Sequence, residues 1–262
     1  MRSRAILLIV LMFGMSITPL SASDSTISTN TTWSGTVVLN GNVTVDSSST
    51  LVISPGTIVD ARSYWLQIDG VLHASDAEFM TSEVSSSLGS SGAGLWGGVL
   101  VSTGASADLT NISISGAESA LTVHGDVTIH DSISINNSYI GFDISSSGMV
   151  DAENVTMSTI DVQSVVNHGN LAIDHGMFTN TGTGILSTNT LTVNDVSFFE
   201  TGVAIDIISG TASITGLGLE NVSVAVGSDA GASTTVSSIY GEGVGLVIDG
   251  TDADDLTVSD AL

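Results

Sequence analysis

The chain contains no cysteine and no lysine, and its only arginines are Arg2, Arg4 and Arg62. Without cysteine there can be no disulfide staples, so the fold must rest on apolar burial and backbone hydrogen bonding. The scarcity of bases leaves 27 acidic residues almost unopposed, with a formal net charge of −24. Such a surface repels phosphate backbones, anionic lipid and acidic polysaccharide, which excludes nucleic acid as a partner. Aromatics make up only 5% of the residues, while aliphatics, Gly, Ser and Thr are plentiful. Self-repulsion at this charge is tolerable where salt screens it, over about 8 Å at physiological strength and about 3 Å at 1 M. A marine or saline setting fits; drift of exposed loop positions to Asp is the plainer alternative.

Long apolar runs are also missing, with one exception. Arg2 and Arg4 precede the run Ala5 to Met15, and Pro19 is followed by Leu-Ser-Ala-Ser. Eleven apolar residues fall short of the roughly 18–20 that span a bilayer. A basic start, a short apolar core and small residues describe a secretory signal at 1–23, cleaved after Ala22 or Ser23. Its removal leaves Arg62 as the single arginine. No second run of spanning length follows, so no transmembrane anchor is expected, and a secreted or cell-surface location is.

What the chain has in abundance is repetition. NTLTVNDVSFFETGVAIDI (189–207) alternates apolar and polar residues, changes phase at Asn-Asp, and alternates again. Three landmarks recur. One runs through Leu121, Phe142, Val165, Ile185, Ile205, Val226 and Leu246; a second through Ile129, Ile173, Val193, Ile214, Val236 and Val258; a third through Met157, Phe178, Phe198, Leu219 and Ile239. Their gaps are 20 to 23 residues, with one double gap of 44. A shared period of about 21 points to a solenoid, and period-2 alternation over a few residues points to strands. The expected fold is all-β: a parallel β-helix of roughly ten coils, three short strands per coil, filling 24–262 as a single domain. One coil cannot bury its apolar face alone, so stability arises between neighbours. A leucine-rich repeat, calcium-binding nonapeptide repeats and hexapeptide coils lack their signatures here, and a β-sandwich is the main rival.

Two further columns mark the corners. Gly125, Gly148, Gly169, Asn189 and Gly210 precede one strand of successive repeats, residue types that tolerate positive φ. Asn111, Asp131, Asn154, His175 and Asp195 follow it, a polar column able to pass hydrogen bonds from coil to coil.

The stretches GTVVLNGNVTVDSSSTLVISPGTIVDA (35–61), LQIDGVLHASDAEFMTS (66–82) and WGGVLVSTGASADLTNISISGA (96–117) carry a family likeness. With TLVISPGTIV and WGGV as its most specific parts, the chain resembles exported right-handed parallel β-helix proteins of the pectin-lyase-like type. The resemblance implies a right-handed, three-sheet solenoid of the non-catalytic surface kind, with N-terminal coils at 33–81 and regular coils at 96–262. Between them, the Ser/Gly-rich segment 82–95 is expected to leave one corner as a loop. The chain ends on LTVSDAL, within what reads as a coil.

Lyases of this architecture use a basic residue with acid-held calcium, and hydrolases use paired carboxylates. Arg62, beside Tyr64 and Trp65, has no matching group of acids in the sequence and reads as a turn arginine. Period alignment puts His130, Glu153 and Asp174 in one outward column, where neighbours about 4.8 Å apart could share a proton or a cation. His124 and His168 align two coils apart. DGTDADD (249–255) offers Asp249, Asp252, Asp254 and Asp255 as oxygen ligands for calcium, a hard cation, without EF-hand spacing; a solvated turn is its plain account. No other cofactor is implied. N-x-S/T sequons stand at Asn30, Asn42, Asn111, Asn136, Asn154 and Asn221, and Asn30 and Asn136 are the expected glycosylation positions. Trp33, Trp65 and Trp96 all fall in the first third, far in sequence from the carboxylate column. The function expected from these features is a non-enzymatic structural or adhesive surface solenoid that contacts glycans, cations or other cell-surface proteins. The alternative is a carbohydrate-active enzyme, a polysaccharide hydrolase or lyase of the β-helix class.

Overall fold

The structure, a computed structural model, describes residues 24–83, 93–249 and 255–261. The expected signal peptide at 1–23 lies outside the described residues, as does most of the 82–95 excursion. The described chain winds into a parallel β-solenoid of about ten coils, with no helix among the described residues. Every strand pairing is parallel and joins one coil to the next. That excludes the antiparallel β-sandwich.

Three faces run the length of the stack. On the first face Leu121, Phe142, Val165, Ile185, Ile205 and Val226 stand in one register column. The second face carries the column Ile129, Ala152, Ile173, Val193, Ile214, Val236, Val258. Met157, Phe178, Phe198 and Leu219 form the third. All three columns point inward over most of their length; Ile185, Ile205, Phe178 and Phe198 are fully buried. Phe178 and Phe198 stack with ring centroids 4.8 Å apart and planes 13° from parallel. Each fully buried aliphatic side chain contributes about 1.5–3 kcal/mol.

The columns hold with two corrections. Val226 pairs with Ile248, not Leu246, and Leu217 pairs with Ile239, while Gly241 lies over Leu219. Both errors are slips of two residues. Within the expected 24–262 domain the stacking begins ahead of the coils expected at 33–81, since Ser25–Ile27 already pairs with Val43–Val45.

The expected three short strands per coil run together into continuous stretches such as Asn170–Ser187 and Thr190–Ile207, each about one coil long. Single left-handed residues turn the chain inside them. Asp76, Asn111, Asp131, Asn154, His175, Asp195, Gly216 and Ser238, with φ from 47 to 70°, turn the second face into the third. Gly116, Asn137, Thr159, Asn180, Glu200, Asn221 and Gly243, with φ from 51 to 76°, turn the third into the first. A lone left-handed residue is tolerated most readily by Gly, Asn and Asp, which explains the polar column read from sequence.

The glycine column has a different cause from the one expected. Of Gly125, Gly148, Gly169 and Gly210, only Gly210 has positive φ. At Gly169 an added Cβ would run into the carbonyl oxygens of Gly148 and Ser145, and at Gly125 into those of Ala105 and Ser102. These glycines serve close approach of the backbone of the preceding coil. Gly104, by contrast, has φ 80° and open space around it. We therefore expect Gly169→Ala and Gly169→Asn to destabilise alike, by about 1–3 kcal/mol as overpacking does. At Gly104, Asn should be better accepted than Ala. Thermal melting of the four variants checks this, and Asn tolerated at Gly169 as well as at Gly104 would contradict it.

Candidate functional site

Because inward positions alternate with outward ones, each face presents columns of exposed side chains repeating at about 4.8 Å. On the second face Glu153 and Asp174 are register partners, and His130 stands at the equivalent position one coil before Glu153, across from Thr110. The expected column therefore exists, but two of its three groups engage residues outside it. Asp174 Oδ1 accepts a 2.7 Å hydrogen bond from Asn194 Nδ2 and lies 3.3 Å from His175 Nδ1. His130 Nε2 lies 3.3 Å from Asp108 Oδ1, and the other oxygen of Asp108 lies 3.6 Å from His73 Nδ1. His175 Nε2 in turn stands 3.8 Å from Asp195 Oδ2. Two small clusters result, His73–Asp108–His130 and Asp174–His175–Asp195, with every side chain about half exposed. Exposed pairs of this kind contribute at most about 1 kcal/mol. Among the described residues no group of three or more His, Asp or Glu is arranged to hold a metal ion. Asp252 and Asp254 of the calcium expectation lie outside the described residues.

The corner column passes hydrogen bonds between coils as the sequence suggests. Asn111 Nδ2 donates to Asp76 Oδ1 at 2.7 Å, Ser132 Oγ to Asn111 Oδ1 at 3.0 Å, and Asn154 Nδ2 to the Asp131 carbonyl at 2.6 Å. The amide nitrogens of Asn111 and Asn154, where a glycan would attach, are therefore already bonded. Asn30 is exposed, and its Oδ1 accepts from Thr50 N at 3.0 Å. Asn136 is half-buried, and the serine of its sequon, Ser138, is fully buried. His124 and His168 stand at equivalent positions two coils apart, as expected, and His168 Nδ1 lies 2.7 Å from Thr188 Oγ1.

Arg62 is a turn residue, with φ 53° and Nη1 donating to Asn40 Oδ1 at 3.0 Å. Neighbouring Asp60 gathers three donors at the foot of the 82–95 excursion: Ser82 N at 2.9 Å, Ser82 Oγ at 2.6 Å and Arg62 N at 3.1 Å.

Sequence reasoning missed the cleft on the third face. Met177, Thr179, Phe199, Glu200, Glu220 and Asn221 line an open cavity of about 300 Å³. Phe198 and Phe199 are adjacent in an alternating strand, so with Phe198 stacked inside, Phe199 must face outward; that was the available signal. A second groove of about 350 Å³ lies along the earlier coils, lined by Asp76, Glu78, Asn111, Ser113 and Ser132 among others. Of the three tryptophans, Trp96 is buried with Nε1 donating to the Ser115 carbonyl at 2.8 Å, whereas Trp65 is 45% exposed. The buried Asn167 is satisfied within the coil stack, donating to Ser187 Oγ and the Thr190 carbonyl and accepting from Gly169 N.

In comparison with known proteins, no protein family matches this chain, no curated protein is detectably similar to it, and no solved structure matches it. The parallel solenoid thus rests on the coil register itself.

Burial pushes the Asp60 carboxyl up most, but the Ser82 hydroxyl and N–H, the Arg62 N–H and the Arg62 charge together outweigh it and hold it below the ordinary value. A depressed carboxyl stabilises the fold above its unfolded value, near about 3.9, and loses that contribution as pH falls through the lower folded value. Asp60→Asn should therefore flatten the fall in melting temperature below about pH 4. Parallel acid limbs for variant and parent would refute this.

Proposed function

We propose that this chain is an exported, non-enzymatic surface solenoid of the right-handed, pectin-lyase-like type, acting as a structural or adhesive element. The observation that carries the reading is the exterior itself. Down the second face the outward positions Thr190, Thr192, Asn194, Thr211, Ser213, Thr215, Ser233, Thr235 and Ser237 are hydroxyls and amides in register. The earlier coils replace some of them with Asp108, Asp126, Asp151, Glu153 and Asp174. Groups repeated at about 4.8 Å on a stiff scaffold make individually weak contacts that add through multivalency. Hydroxyls, amides and carboxylates suit sugar hydroxyls and hydrated cations, while the net charge of −24 turns anionic polymers away. The resemblance of TLVISPGTIV and WGGV to exported β-helix proteins supports the class. The basic-then-apolar N-terminus supports export, and the acidity supports a saline setting.

The carbohydrate-active reading is favoured by one feature, the presence of Glu200 and Glu220 in a single cleft. Hydrolysis requires two carboxyls roughly 5–9.5 Å apart with one able to act as an acid.

One set of assays separates the two. The purified chain is incubated with insoluble neutral and acidic polysaccharides, with and without millimolar calcium, and sedimentation, reducing-sugar release and melting temperature are measured. The expected outcome is retention on a neutral polysaccharide with no reducing sugar released, and a higher melting temperature in calcium if Asp249 to Asp255 bind it. Clear turnover would overturn the structural reading in favour of the enzyme. Failure to bind any polysaccharide would remove glycans from its partners.

A further inference from the structure

We propose that the third-face cleft is a subsite for one uncharged hexopyranose ring of a glycan; this rests on the glycan-binding reading above and gives it a place. Three consecutive coils line the cleft, and the row beside it continues onto a fourth. One outward column reads Met177, Ser197, Gly218, Tyr240, and the column beside it Thr179, Phe199, Glu220, Glu242. In a chain whose large apolar side chains are mostly inside, Met177 is 45% and Tyr240 55% exposed, and Phe199 is half-buried between them in sequence order and register.

Gly218 explains how the tyrosine lies. A Cβ there would come within 2.7 Å of Ser197 Oγ and 3.1 and 3.2 Å of the hydroxyl oxygen and Cε2 of Tyr240. The missing side chain therefore lets the Tyr240 ring lean back across its row toward Ser197, along the sheet. The cleft next to this row is two-sided in chemistry. Met177 and Phe199 give it an apolar part, and Thr179, Glu200, Glu220 and Asn221 give it a polar one.

A pyranose ring has the same division. Its axial C–H groups lose unfavourable hydration against a ring face or a thioether, and its hydroxyls need acceptors at the edge. Carboxylates accept hydroxyl hydrogens and cannot donate. Glu200 and Glu220 at the rim, with Glu242 on the next coil, therefore admit neutral sugars and repel uronates and sulfated sugars. The volume of about 300 Å³ is at the small end of ligand sites, which fits one ring, with the rest of the glycan free to follow the face toward Tyr240.

The test is calorimetric titration of the full chain with maltohexaose, cellohexaose, mannohexaose and hexagalacturonate. At least one neutral hexasaccharide should bind, and hexagalacturonate should not. Phe199→Ala should weaken that binding at least tenfold, Tyr240→Ala, one coil beyond the cleft, should weaken it severalfold, and Asp143→Asn, on the first face, should leave it unchanged. Phe199→Ala carries a risk to the fold, so melting is followed for each variant. Glu220→Gln, nearly equal in volume, is the second probe and should lower affinity severalfold. Neutral sugar bound as tightly by Phe199→Ala and Glu220→Gln as by the parent would overturn the subsite while leaving the glycan reading standing. Tighter binding of hexagalacturonate would overturn the charge argument on which the subsite depends. If the parent bound none of the four, subsite and glycan reading would fall together.

Discussion

Each coil of this protein hydrogen-bonds its backbone to the coil on either side and sets its inward side chains on theirs, and every other feature follows from that contact. Ile185 between Val165 and Ile205, or Phe178 on Phe198, buries apolar surface only because the next coil is present. A chain built this way needs no cysteine and few aromatics. It can also carry a net charge of −24, because the outward residues take no part in the stacking and are free to be acidic wherever salt screens them. The repetition of the sequence is the imprint of this one contact, made about ten times.

Stacking imposes a second condition, that every coil turn its corners at the same places. Two columns of single left-handed residues meet it, one from Asp76 to Ser238 and one from Gly116 to Gly243. At the remaining corner Gly125, Gly148 and Gly169 allow backbones to approach more closely than any side chain would permit. Asp, Asn, Glu and Thr in these columns are thus placed by backbone conformation first. Their side-chain bonds, such as Asn111 to Asp76, come second. The same economy applies to function. Outward groups such as Thr192, Glu220 and Tyr240 lie outside the stacking and can change without disturbing the core.

The architecture was legible because inward positions obey a period: the columns through Ile129 and through Phe178 could be read directly. Ile239 and Leu246 were misassigned for a physical reason. A slip of two residues leaves a side chain on the same side of the strand, so alternation cannot detect it, and 237–246 holds apolar residues at more than one phase. The glycines were legible as special positions but not in their cause, since φ tolerance and close approach select the same residue. Packing does not hold outward positions to one residue type, and the cleft draws on different residue types in successive coils, so the site was hardly legible. His73 meets Asp108, 35 residues later, because that coil spans 35 residues and not about 21. No alignment at 21 residues would have paired them. Tyr240 was hidden by the same slip that displaced Ile239.

The absence of cysteine allows the coil register to be measured against a clean background. Thr192 and Ser213 face outward as register partners on adjacent coils, and Thr235 follows on the next. Adjacent strands stand about 4.8 Å apart, within the roughly 4.4–6.8 Å Cα separation a disulfide spans, whereas two coils exceed it. Under mild oxidation at low protein concentration, the pair Thr192→Cys with Ser213→Cys should form an intramolecular disulfide, and Thr192→Cys with Thr235→Cys should not. A disulfide in the second pair and none in the first would contradict the stacked register from which the whole account is built.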